Sequence, residues 1–152
     1  MKYRFKVQRE GQFVSPELSA GLLRLDRLFL PDSISGHVDW DEWMEKISKS
    51  SIRIFAFDNE NTMVGAAVFY ANDMLSRRAF LTMLVCDGKE WGSGLSDMIM
   101  NELKGISFCR GMDALRFKVI RDNLRAIKFY ERHGFRQIED LGSRLMFDGA
   151  LI

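Results

Sequence analysis

The feature that most constrains the fold is a strand-like run that leads into a helical pattern through a short loop containing two glycines. Residues 80–85 are mostly apolar, residues 95–106 are amphipathic with helical spacing, and the intervening segment 89–94 reads Lys-Glu-Trp-Gly-Ser-Gly. A strand that feeds a helix through positions without side chains leaves main-chain N–H groups pointing outward at the helix N-terminus, where they bind phosphates. Glycines also mark tight turns that bind nothing. The loop alone therefore predicts either an anion site or a simple turn.

A second motif makes the prediction more specific. It follows the strand-like residues 115–119 and reads Asn-Leu-Arg-Ala-Ile-Lys-Phe-Tyr-Glu-Arg-His-Gly-Phe from residue 123 to residue 135. Together the two segments resemble the GCN5-related N-acetyltransferase (GNAT) superfamily of acyl-CoA-dependent enzymes, and the resemblance covers roughly residues 52–147. The family's pyrophosphate loop has Arg or Gln, two further residues, Gly, one residue, and then Gly or Ala. Lys89, Gly92 and Gly94 stand at those positions here, with Lys as a mild departure. The second signature is intact in Asn123, Ala126, Phe129, Tyr130, Gly134 and Phe135.

The resemblance implies an α/β (α+β) protein with the GNAT fold, in which a mixed, mostly antiparallel central sheet of six to seven strands has helices on both faces. The length of 152 residues, without repeats, low-complexity tracts or a linker, predicts that this is a single GNAT acyltransferase domain over residues 1–152. Hydrophobic periodicity and turn residues predict a compatible order of elements. The predicted strands are residues 1–7, 52–57, 63–71, 78–85, 114–119, 135–138 and 144–147. The first predicted helix starts at Ser15 and Pro16 and ends at a break at Pro31, and the second starts at Asp39 with Glu42 as its capping partner. The third covers residues 94–109, and the fourth covers residues 124–132 and ends before Gly134.

The resemblance also implies how the cofactor is held. Main-chain groups of Leu84 and Val85 pair with pantetheine, the loop up to Leu95 holds the pyrophosphate, and Asn123 contacts the pantetheine arm from the opposite side. The implied cofactor-binding residues are Leu84, Val85, Lys89, Glu90, Trp91, Gly92, Ser93, Gly94, Leu95, Asn123, Ala126 and Phe129. Several have an alternative, because Asn123 is also a good helix N-cap and Lys89 suits a solvated loop. Trp91 fits either a cover for the adenine or packing against a neighbouring helix.

Tyr130 is the candidate catalytic residue. Acyl transfer from a thioester must stabilise a departing thiolate, and a thiol has an ordinary pKa of about 8.5 whereas a phenol has one of about 10 and stays protonated at neutral pH. A tyrosine can therefore donate a hydrogen bond, and then a proton, to the sulfur as charge develops there. The alternative is a packed aromatic side chain, since Ala126, Phe129 and Tyr130 share a helical spacing.

The general base is not apparent in the sequence. Many relatives place a carboxylate on the central strand, but residues 81–84 offer only the hydroxyl of Thr82. The nearest reservoir of acids is segment 32–45, which has no Lys or Arg and contains Asp32, Asp39, Asp41, Glu42 and Glu45 together with His37, Trp40 and Trp43. An acidic, aromatic rim of this kind attracts a cationic amine. The same acids also suit the first turn of a helix, and the tryptophans suit its buried face.

Composition excludes other classes of function rather than choosing one. The net charge of +1 gives no support for nucleic acid as a partner, and no apolar run is long enough for a membrane span. The two cysteines, Cys86 and Cys109, have neither metal spacing nor a disulfide framework, so we expect a cytoplasmic protein with buried or half-buried thiols and no bound metal.

These features predict an acyl-CoA-dependent N-acetyltransferase. Acetyl-CoA is the expected co-substrate, the primary amine of a small molecule is the expected acceptor, and the resemblance leaves a homodimer open. Two further readings stay open as alternatives, namely a non-catalytic acyl-CoA-binding or regulatory GNAT domain and a protein amine acetyltransferase. A generic nucleotide-binding fold is disfavoured, because segment 92–94 lacks both the Lys-Ser/Thr of a P-loop and the third Gly of a dinucleotide fingerprint.

Overall fold

The computed structural model describes residues 2–29 and 33–152, and these residues form seven strands and four helices. The strands are β1 (Arg4–Gln8), β2 (Ile52–Phe57), β3 (Met63–Tyr70), β4 (Arg78–Cys86), β5 (Ala114–Ile120), β6 (Arg136–Asp140) and β7 (Arg144–Ala150). The helices are α1 (Pro16–Arg27), α2 (Trp40–Ser50), α3 (Leu95–Cys109) and α4 (Leu124–Arg132). Two short 3-10 turns, Ile34–Gly36 and Gly88–Glu90, were not predicted, because three residues are too few to show a hydrophobic period.

The strands form one mixed sheet in the order β1-β2-β3-β4-β5-β7-β6. Pairing is antiparallel between β1 and β2, β2 and β3, β5 and β7, and β6 and β7, whereas β4 and β5 are parallel. The parallel pairing covers Arg78–Leu81 of β4 against Ala114–Phe117 of β5. The sheet confirms the predicted mixed, mostly antiparallel arrangement of six to seven strands.

The chain forms two compact units, one of Met1–Phe69 with Met83–Leu103 and the other of Tyr70–Thr82 with Lys104–Ile152. In the first unit, α1 and α2 pack on one face of the sheet, where Ala66 and Val68 of β3 belong to their apolar cluster. Gly65 directly precedes Ala66 and so faces the other side of the sheet, where a Cβ atom would be only 2.8 Å from Ile99 Cδ1 of α3. Helices therefore cover both faces, as predicted, and the glycine lets α3 approach the sheet closely.

The core of the second unit is aromatic and surrounds Phe117 of β5. Its ring lies 5.2 Å from that of Phe135 and 5.8 Å from that of Phe147, centroid to centroid. Residues 117 and 147 are direct partners in the antiparallel pairing of β5 with β7, so sheet register brings these two rings together.

The predicted helix starts are confirmed by their caps. The Ser15 side chain accepts a hydrogen bond from the Leu18 N–H (3.2 Å), and the Asp39 carboxylate accepts one from the Glu42 N–H (3.0 Å). Helix α1 ends at Arg27, and the predicted break at Pro31 lies outside the described residues.

The N-terminal strand was predicted over residues 1–7. The observed strand begins at Arg4, and residue 1 lies outside the described part of the chain. The predicted alternation is present, since Tyr3 is buried while Lys2 and Arg4 are exposed. Within the described residues, no helix combines the length and the apolar character needed to cross a membrane.

Both cysteines are free thiols. Cys86 is buried at the end of β4, where desolvation raises the pKa of its thiol. Cys109 is exposed, so the expectation of a buried or half-buried thiol was wrong at this position. It is the last residue of α3, and a helix end commonly leaves side chains in solvent.

Candidate active site

The loop after β4 has the backbone of an anion-binding turn. The 3-10 turn Gly88–Glu90 is followed by Gly92 with φ +85° and Gly94 with φ +90°, and α3 begins at the next residue. Residues with side chains rarely adopt such values of φ, so the conformation itself requires glycine at both positions. The tight turn predicted from the sequence is therefore present, whether or not a ligand occupies it.

The same loop presents main-chain donors. In the described part of the chain, no protein acceptor takes the N–H of Gly92 or Gly94. The Ser93 N–H, in contrast, donates to the Glu90 carbonyl at 3.1 Å, and the Leu95 N–H donates to Ser93 Oγ at 3.3 Å. Because the first-turn N–H groups of a helix also lack intrahelical acceptors, the segment gathers donors in front of a positive dipole end. This arrangement favours a bound anion such as a diphosphate.

Two charged side chains of the loop have partners of opposite charge within the protein. Asp87 lies 3.1 Å from Arg24, and Lys89 Nζ lies 3.6 Å from Asp58 Oδ2. Burial raises the pKa of Asp87, but the Lys89 N–H and the Arg24 guanidinium outweigh it and hold the pKa below the ordinary 3.8. Lys89 is thus not simply a solvated loop charge.

Glu90, the third charged residue of the loop, is held by the N-terminal segment. Its carboxylate accepts a hydrogen bond from the Tyr3 hydroxyl and lies 4.0 Å from Lys2 Nζ. Only 11% of the Glu90 side chain is exposed. The negative charge is therefore held against this segment.

Trp91 is 51% exposed. Its ring is near Gly88, where a Cβ atom would lie 4.0 Å from Trp91 Cε2. The exposure counts against the reading in which this ring packs beneath a helix. It leaves about half of the side chain accessible to solvent, which is compatible with the adenine reading.

Leu84 and Val85 lie on β4 beyond Arg78–Leu81, the part of the strand that pairs with β5. Val85 is 9% exposed and belongs to the apolar cluster beneath α1 and α2, whereas Leu84 is half-buried. Since the Val85 side chain is committed to the core, only main-chain groups of this residue suit a cofactor contact. Thr82, the hydroxyl residue on this strand, is exposed.

A second group of candidate residues lies on α4, in the second unit. Asn123 is the N-cap, and its side-chain oxygen accepts a hydrogen bond from the Ala126 N–H at 3.2 Å. The capping role considered for Asn123 is therefore real, and the same side chain still has an amide group to offer a ligand. Ala126 and Phe129 are half-buried on this helix.

Tyr130 is half-buried within the aromatic core of the second unit. Its ring centroid lies 4.1 Å from that of Phe117 and 5.3 Å from that of Phe129. Packing on two sides restricts the ring, which is what a catalytic phenol needs in order to keep one orientation. The packed-aromatic reading and the acid reading are thus compatible in this geometry.

The acids of α2 have structural roles. Asp39 caps the helix, Asp41 and Glu42 lie in its first turn, and Glu45 forms an exposed ion pair with Lys49 at 3.2 Å. These positions complement the helix dipole and account for the acids without a ligand. Asp32 lies outside the described residues.

The aromatic residues of this segment are partly committed to packing. Trp43 is buried at 8% exposure, and its ring lies 5.2 Å from that of Trp40. Trp40 donates its indole N–H to Ser19 Oγ at 3.0 Å. His37 is exposed after the first 3-10 turn.

A groove of about 790 Å³ between α1, α2 and the loop after β1 contains some of these side chains. Trp40, Asp41 and Glu45 line it together with apolar residues such as Phe13 and Met44. Its volume falls within the range of small-molecule sites. The groove therefore leaves room for the acidic, aromatic recognition that the sequence suggested.

Sequence reasoning missed the residues that hold the loop from outside. Tyr3, Arg24 and Asp58 are far from residues 87–95 in the chain, and none belongs to a motif. The one available signal was the alternation of the first strand, which predicts that Tyr3 points inward but not what it touches.

Comparison with known proteins agrees with this geometry. The family model described as "Acetyltransferase (GNAT) family" matches residues 22–135, which is most of the chain. The chain belongs to the GNAT acetyltransferase family. Membership supports acetyltransferase activity and acyl-CoA binding in general terms. A search of curated proteins gave no match.

Solved structures share the fold at low sequence identity. The ribosomal-protein-S18-alanine N-acetyltransferase from Escherichia coli is 13% identical, with a TM-score of 0.76 over 97% of this chain and 94% of that one. A chimeric spermidine N-acetyltransferase from Vibrio cholerae and hSSAT is 13% identical, with a TM-score of 0.75 over 99% and 96%. PaiA N-acetyltransferase from Thermoplasma acidophilum, solved with coenzyme A, is 15% identical, with a TM-score of 0.72 over 97% and 99%. These likenesses confirm the GNAT fold.

Proposed function

We propose that this protein is an N-acetyltransferase that transfers the acetyl group of acetyl-CoA to the primary amine of a small molecule. The observation that carries the proposal is the pair of positive-φ glycines, Gly92 and Gly94, whose N–H groups have no acceptor among the described residues and stand directly before α3. Family membership supplies the cofactor class for these donors. The anion they favour is then the diphosphate of coenzyme A.

The remaining cofactor contacts follow from the same assignment. We propose that the pantetheine amides pair with the main chain of Leu84 and Val85, as an added strand would. Asn123 would contact the arm with the amide nitrogen that its capping bond leaves available. Trp91, which is exposed, would cover the adenine.

Tyr130 is the proposed general acid. The acceptor nitrogen forms a bond to the acetyl carbonyl carbon, the bond from that carbon to sulfur breaks, and the departing thiolate takes its proton from the Tyr130 hydroxyl. The amine loses a proton to a base or to water in the same overall exchange. Direct transfer of this kind needs no nucleophile from the protein, and the buried thiol of Cys86, whose pKa is raised, is unsuited to be one.

The acceptor is proposed to be cationic before it reacts. Asp41 and Glu45 on the wall of the groove, beside Trp40, provide an acidic and aromatic lining that would attract an ammonium group. Both thiols are free, which suits a reducing compartment, and we propose a cytoplasmic location on that basis.

A second candidate is a non-catalytic acyl-CoA-binding or regulatory domain. It is favoured by a specific observation, because β4 carries an exposed threonine, Thr82, where many relatives carry a carboxylate base. A protein amine acetyltransferase remains the alternative within the enzyme class.

The deciding experiment measures thiol release from acetyl-CoA with a panel of polyamines, amino sugars, amino acids and peptide N-termini, alongside calorimetric binding of coenzyme A. Turnover on a small amine supports the proposal. Turnover only on peptides would move the assignment to a protein acceptor, and binding without turnover on any amine would support the regulatory candidate. Absence of any binding heat with coenzyme A would contradict both.

A further inference from the structure

We propose that Tyr3 is a positioning residue for the cofactor loop, acting by holding the negative charge of Glu90 away from the bound diphosphate. The inference rests on the proposed function, since it concerns the same coenzyme A site. The glycine motif does not explain how the loop accommodates Glu90. A carboxylate inside a loop that binds a diphosphate would repel its ligand, because both are negatively charged.

The contact geometry shows how the loop accommodates that carboxylate. The Tyr3 hydroxyl donates to the Glu90 carboxylate, and its oxygen lies 2.9 Å from Ser93 Oγ. A phenol has one proton to give, so with that proton on Glu90 the Ser93 hydroxyl donates to the Tyr3 oxygen. Ser93 Oγ in turn accepts from the Leu95 N–H at 3.3 Å. A continuous chain of hydrogen bonds thus runs from the start of α3 to the carboxylate.

This chain fixes the loop on both sides of Gly92. Glu90 and Ser93 flank that glycine, and both contact the same hydroxyl on the N-terminal segment. Hydrogen bonds that end on an ionised group are stronger than neutral ones, and linked bonds polarise one another. The chain therefore holds the conformation in which the N–H groups of Gly92 and Gly94 are available.

Burial supports the same role. Tyr3 is 6% exposed and the Glu90 side chain 11%, so the bond forms where water competes weakly. The nearby Lys2 ammonium, 4.0 Å from Glu90, adds to the neutralisation of the charge. Without the Tyr3 hydroxyl, the Glu90 carboxylate could rotate toward the diphosphate. The loop would also lose its hydrogen bond to the N-terminal segment.

The test combines four variants: Tyr3→Phe, Glu90→Asp, Glu90→Gln and the double variant Tyr3→Phe with Glu90→Gln. Tyr3→Phe should weaken coenzyme A binding by about tenfold, in the range of a lost charge-assisted hydrogen bond. Glu90→Asp should weaken it similarly, because the shorter side chain keeps the charge but does not reach Tyr3. Glu90→Gln should bind more tightly than Glu90→Asp, and the double variant more tightly than Tyr3→Phe, because no charge remains to repel the diphosphate. Calorimetry gives the affinities without needing an acceptor.

Kinetics and controls separate positioning from folding. The KM for acetyl-CoA should rise in Tyr3→Phe while kcat stays unchanged, as expected when only cofactor binding is lost. Tyr70→Phe is a matched removal of a hydroxyl from a residue that lines a different pocket, with Arg78, and should leave affinity unchanged. If Tyr3→Phe fails to fold, the contrast between Glu90→Asp and Glu90→Gln tests the same charge with Tyr3 intact.

The outcomes are distinguishable. Equal affinity for wild type and Tyr3→Phe, a double variant as weak as Tyr3→Phe, or Glu90→Gln as weak as Glu90→Asp would each overturn the positioning role while leaving the enzyme assignment in place. A wild-type protein that binds no coenzyme A would overturn the proposed function itself and this inference with it.

Discussion

The loop before α3 and the helix α4 carry their candidate residues in opposite ways. In the loop, the charged side chains contact other protein groups, which leaves the main-chain donors of the glycines for a ligand. On α4, the candidate groups are side chains, and the Tyr130 ring is packed against Phe117 and Phe129. In the proposed site, binding by the backbone would therefore depend on the loop conformation, whereas chemistry by the Tyr130 side chain would depend on packing. Each can be disturbed without the other.

The strongest test of the loop is Gly94→Asp. A side chain is strained at φ +90°, and the added carboxylate would stand against the diphosphate, so we expect coenzyme A affinity to fall about 100-fold or more. Calorimetry measures the loss. Gly142→Asp is the matched control, because Gly142 has φ +94° and open space around it but lies in the turn between β6 and β7. Similar losses of coenzyme A affinity in Gly94→Asp and Gly142→Asp would show that backbone strain alone causes the loss.

The corresponding test on α4 is Tyr130→Phe. Removing the hydroxyl keeps the ring and its contact with Phe117, so coenzyme A affinity should be retained. The kcat should fall by about 100-fold, the lower end of the usual contribution of a general acid. Steady-state kinetics at saturating acetyl-CoA measures it. An unchanged kcat would remove Tyr130 from the mechanism and leave it as a core residue.

Asn123 separates capping from ligand contact. Asn123→Asp keeps an oxygen for the Ala126 N–H but replaces the amide nitrogen, so stability should be kept while coenzyme A binding weakens by about tenfold. Asn123→Ala should also cost about 1 kcal/mol of unfolding free energy through loss of the cap. Denaturant unfolding and calorimetry measure the two effects separately. If the aspartate variant binds as well as wild type, the cap is the whole role of this residue.

Lys89 should matter less than its place in the family motif suggests. Its ammonium is 3.6 Å from Asp58 and is exposed, so Lys89→Ala should change the KM for acetyl-CoA by only about threefold or less. Asp58→Asn is the matched variant, and by releasing the ammonium it should leave affinity equal or slightly improved. A drop of 30-fold or more in Lys89→Ala would mean that this side chain turns to the diphosphate when the cofactor binds.

The smallest effect concerns acid stability at Asp87. Its pKa in the folded protein is below the ordinary 3.8, so the ionised form stabilises the fold above that value, and this contribution is lost as the pH falls through the lowered pKa. Asp87→Asn should lower the unfolding free energy at pH 7 by no more than about 1 kcal/mol, because Arg24 is partly exposed. The difference from wild type should shrink as the pH falls below 3.8. Denaturant unfolding across this range measures it, and a constant difference would contradict the ion pair.

Most of the fold could be predicted from the sequence because its patterns are local. Residues 52–57 and 124–132 were predicted with the observed bounds, since turn residues and caps mark their ends. The 3-10 turns were missed because they are too short for periodicity. The exposure of Cys109 was missed because helical spacing does not tell which side of a helix end meets solvent.

The candidate site could be predicted only where a motif is contiguous. The glycines of the loop and the Asn-to-Phe signature are each read within a few turns of chain, and both segments have the expected secondary structure. The anchors Tyr3 and Asp58 could not be predicted, because ion pairs and hydrogen bonds between distant residues leave no local pattern. The acids of α2 show a pattern that the sequence leaves ambiguous, since caps and the helix dipole explain their clustering while Asp41 and Glu45 also line a groove.

In the proposed role of Tyr3, its place just before β1 links the affinity for coenzyme A to an edge strand of the sheet. Strand β1 is one of the two terminal strands of the sheet and pairs with β2, and edge strands open more readily than central ones. Warming that frays this edge would free Glu90 and Ser93 while the interior around Phe55 stays intact. Amide exchange rates in residues 4–8 should then track the temperature at which affinity for coenzyme A begins to fade, below the midpoint of global melting.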